Sequence, residues 1–96
     1  MAFKRTPHAD AVPAVLVIEP TKFERRCLIR LMRAAGAERV AEAADIEAAR
    51  RLLSLRRAPR WMLVADPDHL PGDGMSLLRT LTDEHPVTTL LLTQRR

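Results

Sequence analysis

Several things are scarce in this 96-residue sequence, and each shortage closes off a class of function. Aromatic residues make up 3% of it, with no tyrosine, so the stacking surfaces that single-stranded nucleic acids lie on are hard to build. Glycine occurs three times, and neither a Walker loop nor a glycine-rich dinucleotide loop can be read, which argues against a nucleotide-dependent enzyme. The lone cysteine, Cys27, cannot close an internal disulfide, and its place in a helical pattern predicts a small buried hydrophobe. No apolar run approaches the roughly 18 residues of a membrane span. The opening MAFKRTPHADAVPA lacks the apolar stretch of a signal peptide, so a cytoplasmic protein without membrane contact is expected. Of the 16 basic residues only Lys4 and Lys22 are lysines.

What remains is the balance of an ordinary globular chain, 47% hydrophobic and 29% charged, long enough for one domain and one core. Residues 1–12 show no periodicity and read as a flexible tail before a domain over 13–96. Ala14 to Ile18, AVLVI, is a continuous apolar run rich in β-branched residues, the pattern of a strand buried on both faces, and it ends at Glu19 and Pro20. Thr21 and Glu24 have capping-box spacing and predict a helix start. Phe23, Cys27, Leu28, Leu31 and Ala35 supply one apolar face of that helix, Arg26, Arg30 and Arg33 line another, and Gly36 is placed to end it.

ERVAEA, residues 38–43, predicts a short edge strand. Asp45 can cap a second helix whose apolar positions are Ile46, Ala49, Leu52, Leu53 and Leu55, and Pro59 forbids its continuation. Trp61 to Ala65, WMLVA, is a second wholly apolar run that ends in an acid, Asp66. After the Pro and Gly loop a third helix is expected from about Gly74 to His85, capped by Asp73, with Met75, Leu77, Leu78 and Leu81 on its apolar side and Pro86 as its stop. VTTLLLT, residues 87–93, is a third apolar run. Strand and helix thus alternate as βαβαβαβ, the plan of an α/β fold with a buried parallel sheet. In such sheets the strand C-termini share one edge, so Glu19, Asp66 and Thr93 should converge.

These residues resemble the receiver domains of bacterial response regulators. Asp66 ends WMLVAD where that family carries its phosphoacceptor, Gly74 follows eight residues on, and Thr93 ends LLLT where the family keeps a hydroxyl that turns towards the phosphoryl group. Glu19 falls on the first of the paired metal-holding acids. The resemblance implies a flavodoxin-like three-layer sandwich with strand order 2-1-3-4 and a truncated sheet. It also implies a signalling role in a two-component phosphorelay, with a histidine kinase or phosphotransfer protein as partner, and protein contact rather than enzymatic turnover as the output. Mg²⁺ would be held by Glu19, Asp66 and Asp68, since it takes oxygen ligands in a near-octahedral array.

The sequence departs from the family in three places. Pro20 stands at the second acidic position and brings no ligand, Pro71 comes one residue late, and neither the final helix–strand–helix nor its lysine follows Thr93. The departures imply a weak metal site and an Asp66 that is either an active or a vestigial phosphoacceptor. A structural alternative is that Asp66 and Asp68 only cap the loop. His69 and His85, without partners at metal spacing, read as ordinary loop and helix-end residues. An uncovered, apolar fourth strand predicts a homodimer, formed through that edge or through the first helix. A rival reading gives the work to the arginines: Arg26, Arg30 and Arg33 on the first helix, with Arg50, Arg51, Arg56, Arg57 and Arg60 around the end of the second. Guanidinium groups recognise phosphates, so a nucleotide second messenger or nucleic acid phosphates could dock there, nucleic acid being the less expected of the two.

Overall fold

In the computed structural model, which describes residues 14–55, 60–85 and 87–91, four parallel strands and three helices form an α/β sandwich. The strands are β1 (Ala14–Ile18), β2 (Val40–Ala43), β3 (Trp61–Ala65) and β4 (Val87–Leu91), in the order β2-β1-β3-β4. The helices are α1 (Lys22–Ala34), α2 (Ile46–Leu55) and α3 (Gly74–Glu84), and a single 3₁₀ turn, Pro67–His69, follows β3. This is the expected flavodoxin-like arrangement and strand order. The tail expected over residues 1–12 lies outside the described residues.

The connections decide which helix covers which face. The chain steps from β1 to β2 through α1, then crosses back over β1 to β3 through α2, and continues outward to β4 through α3. Because crossovers of one hand place a helix on opposite faces when the chain reverses direction, α1 covers one side and α2 and α3 share the other. The strand residues divide accordingly. Leu16, Ile18, Leu63 and Ala65 pack with Ile46, Ala49 and Leu53 of α2 and Leu78 and Leu81 of α3. Val15, Val17 and Val64 pack with Ile29 and Met32 of α1. Every residue of β1 is buried, as a continuous apolar run in a sheet covered on both faces requires.

Local signals at the helix ends mostly operate as read. Asp45 accepts the Ala48 N–H at 2.7 Å. Asp73 accepts the Ser76 N–H at 3.2 Å and the Ser76 hydroxyl at 2.9 Å. Gly36, with φ of 107°, ends α1 in a Schellman motif, its N–H donating to the Arg33 carbonyl while Ala37 N–H donates to Met32. At the end of α3, His85 is already extended, the conformation a following proline demands.

Two expectations are corrected on α1. Its sheet-facing side is Ile29 and Met32, with Leu28 half-buried, whereas Phe23 is 75% exposed, Leu31 55% exposed, and Cys27 lies exposed beside them. Two apolar stripes run along this helix, and a periodicity shows both without saying which meets the sheet. Arg25 accompanies the inner one: its Nε donates to Glu42 on β2 at 2.9 Å and its Nη1 to the Glu19 carbonyl at 2.8 Å. The capping box also fails to close. Thr21 is the N-cap but its side chain makes no capping bond, and its own N–H donates to Glu19 Oε2 at 2.8 Å. Glu19 takes the donor that the box would have left to Glu24, and Glu24 turns elsewhere.

Candidate functional site

In the parallel register Ile18 stands beside Ala65, so the next residues, Glu19 and Asp66, emerge side by side from the C-terminal ends of the two central strands. Here the strand order reverses, the position where open α/β sheets bind ligands. Both acids share the strand parity of Val17 and Val64, which places them on the α1 side of the sheet. Both are buried, Glu19 at 1% exposure and Asp66 at 5%. Buried carboxylates need partners.

The partner is His69. Its Nδ1 donates to Glu19 Oε1 at 2.7 Å and lies 3.2 Å from Glu24 Oε2, while Nε2 lies 3.4 Å from Asp66 Oδ2. Three acids drawn from β1, α1 and the end of β3 thus surround one imidazole. The hydrogen bond to Glu19 raises the His69 pKa above its ordinary value, and the charges of Asp66, Glu19 and Glu24 add to it against the effect of partial burial. The acids thus shift His69 towards the imidazolium relative to a free histidine, as expected for a ring facing acids from both nitrogens.

Local structure delivers His69 to this place. Asp66 Oδ1 accepts the Asp68 N–H at 2.9 Å, an Asx cap that starts the 3₁₀ turn, and His69 N–H donates to the Asp66 carbonyl at 3.1 Å. Residues three apart eclipse in a 3₁₀ turn, which brings the His69 ring back over Asp66. The first residue of α3 supports the turn from below. A Cβ at Gly74 would lie 2.0 Å from the Pro67 carbonyl oxygen, so only glycine permits this approach.

The structure therefore unites two of the three acids expected to hold a metal, Glu19 and Asp66. Asp68 is exposed and lines a shallow hollow with Gly72, Asp73 and Met75. Thr93 lies outside the described residues, as do Arg56 and Arg57. Arg26, Arg30 and Arg33 do share a surface, lining a hollow with Phe23 and Cys27 on the outer side of α1. Arg50 is engaged: Nε and Nη2 donate to Glu84 at 3.0 and 3.2 Å, and Nη1 bonds Glu47. That clasp ties α2 to α3. Arg51 is exposed on α2, and exposed Arg60 precedes β3, at the sheet edge opposite the acids.

In the sequence Glu24 reads as a capping-box acid and His69 as an ordinary loop residue without partners at metal spacing; the structure instead sets His69 against Glu19 and Glu24. One signal for His69 was available, its spacing of three from Asp66 across a proline, which suits a 3₁₀ turn. Nothing local pointed Glu24 away from the capping box.

The acids do not fit Mg²⁺ as they stand. Mg²⁺ takes an oxygen octahedron, yet the free oxygen of Glu19 is bonded to an imidazole nitrogen, and Pro20 brings no side-chain oxygen. Comparison with family models, curated proteins and solved structures finds no match for this chain. Among the described residues no helix is long and apolar enough to cross a membrane.

Proposed function

We propose that the chain is a receiver-like signalling module that works by protein contact in the bacterial cytoplasm, with Asp66 a vestigial phosphoacceptor. The observation that carries this reading is His69 lodged between Glu19 and Asp66, at 2.7 and 3.4 Å, in the corner that a receiver keeps for its metal and phosphoryl group. A histidine there bonds the acids in place of a metal and crowds the oxygen that would attack a phosphodonor. The strand order and the pairing of buried acids at the switch point support descent from a phosphorylated ancestor.

The contact surface is the outer side of α1, where Phe23, Cys27 and Leu31 repeat every four residues beside Arg26, Arg30 and Arg33. A second copy, a histidine kinase, a phosphotransfer protein or another signalling protein would bury that stripe. The module binds rather than catalyses.

The test is the intact mass after incubation with acetyl phosphate and Mg²⁺. Wild type is expected to show no phosphoryl adduct. An adduct that disappears in Asp66→Asn would make Asp66 an active acceptor and overturn the vestigial reading.

A further inference from the structure

The residues that disfavour Mg²⁺ have a chemistry of their own. Glu19, Glu24 and His69 each offer one ligand atom, and these lie within 4.8 Å of one another. We propose that Glu19, Glu24 and His69 bind a borderline divalent transition-metal ion, Zn²⁺ in the first instance, with Asp66 as the outer carboxylate that orients the imidazole.

Donor type leads to this. Two carboxylate oxygens and one imidazole nitrogen suit Zn²⁺ and its transition-metal neighbours, whereas Mg²⁺ prefers oxygen alone. Three protein ligands with a fourth position left to water is a familiar Zn²⁺ arrangement. Spacing agrees. Tetrahedral ligands at ordinary Zn–N and Zn–O lengths stand roughly 3.3 Å apart, and His69 Nδ1 stands 2.7 Å from Glu19 and 3.2 Å from Glu24. Of the two distances to His69 only the first must open, by about half an ångström on that tetrahedral figure, and the two carboxylate oxygens lie within 4.8 Å of each other.

The surrounding bonds point the same way. A metal-bound histidine almost always presents its other ring nitrogen to a carboxylate or carbonyl, which sets the tautomer and the ring plane. His69 presents Nε2 to Asp66 Oδ2 at 3.4 Å. Glu19 is held likewise, since Oε2 accepts the Thr21 N–H and leaves Oε1 as the ligating atom. The step is an exchange of cations: Zn²⁺ enters, the Nδ1 proton leaves to solvent, and the neutral imidazole coordinates through Nδ1 while keeping Nε2–H towards Asp66. The site explains why a buried Glu19, a half-exposed Glu24 and a loop histidine converge. It borrows the place of the vestigial phosphoacceptor but does not depend on that reading, because metal binding and phosphorylation are measured separately.

The experiment is calorimetric titration of the whole chain with Zn²⁺ and, separately, Mg²⁺ near neutral pH, with proton NMR of the histidine ring signals alongside. Wild type should bind one Zn²⁺ with proton release and a shift of the His69 ring signals, and Mg²⁺ at least about 100-fold more weakly, as an imidazole ligand implies. His69→Gln should abolish that event. Glu24→Gln, a change in the open first turn of α1 that leaves the core intact, should weaken it. Asp66→Asn should keep the stoichiometry and lose roughly 10-fold in affinity, the scale of an outer-carboxylate loss. Zn²⁺ binding that survives unchanged in both His69→Gln and Glu24→Gln would overturn the proposal by placing the ion elsewhere. Equal affinity for Mg²⁺, or no Zn²⁺ binding by folded wild type, would overturn it too.

Discussion

Among the described residues one face of the sheet lies under α2 and α3 and the other under α1, and the two sides bury their large apolar side chains to different extents. Leu78 and Leu81 of α3 are 2% and 0% exposed, and α2 and α3 are clasped across their outer surface by Arg50 and Glu84. On the other face α1 buries Ile29 and Met32 yet leaves Phe23 and Leu31 in the open. On the paired side, too, α2 leaves Leu55 81% exposed at its end and α3 leaves Met75 42% exposed in its first turn. Among the described residues α1 has no helical neighbour on its face, and its second stripe, Phe23, Cys27 and Leu31, stays uncovered. Exposed apolar side chains thus occur on both sides of the sheet, but on α1 they line up as a stripe that repeats every four residues.

Truncating the core tests this contrast most severely. Leu16→Ala, at a fully buried position beneath α2 and α3, should cost about 3–5 kcal/mol in urea unfolding, because two clasped helices cannot settle into the cavity. Met32→Ala beneath α1 should cost less, about 2–3 kcal/mol, since a single helix can shift towards the sheet. Equal losses would break the comparison.

A finer probe is the outer side of α1. Phe23→Ser and Leu31→Ser should each change the unfolding free energy of the dilute protein by no more than about 0.5 kcal/mol, as for an uncovered surface. In concentrated solution the wild type should sediment as a dimer and the double variant as a monomer. A monomeric wild type would leave the stripe to a different protein.

The smallest effect belongs to the cap of α3. The Asp73 carboxyl is held below its ordinary value, first by the Ser76 backbone N–H and then by the Ser76 hydroxyl, both of which donate to the ionised form. Its stabilisation is therefore complete above the unfolded aspartate value of about 3.9 and is lost as pH falls through the lower folded value. Asp73→Ala should lower Tm slightly at neutral pH, and the gap to wild type should close below about pH 4 in a thermal melt series.

Much of the molecule was legible in the chain itself. The apolar runs AVLVI and WMLVA declared buried strands, Asp45, Asp73 and Gly36 marked helix ends, and an acid closing each central strand pointed to the edge where Glu19 and Asp66 meet. Every one of these signals is carried within a few residues by backbone hydrogen bonding and side-chain periodicity. Tertiary structure alone decided the rest: which stripe of α1 meets the sheet, that Glu24 abandons its cap, and that His69 stands among three acids. The His69 to Glu19 bond joins residues 50 apart in sequence. No local pattern encodes such a contact, because it exists only once parallel pairing has set β1 against β3 and brought the loop after one strand over the end of the other.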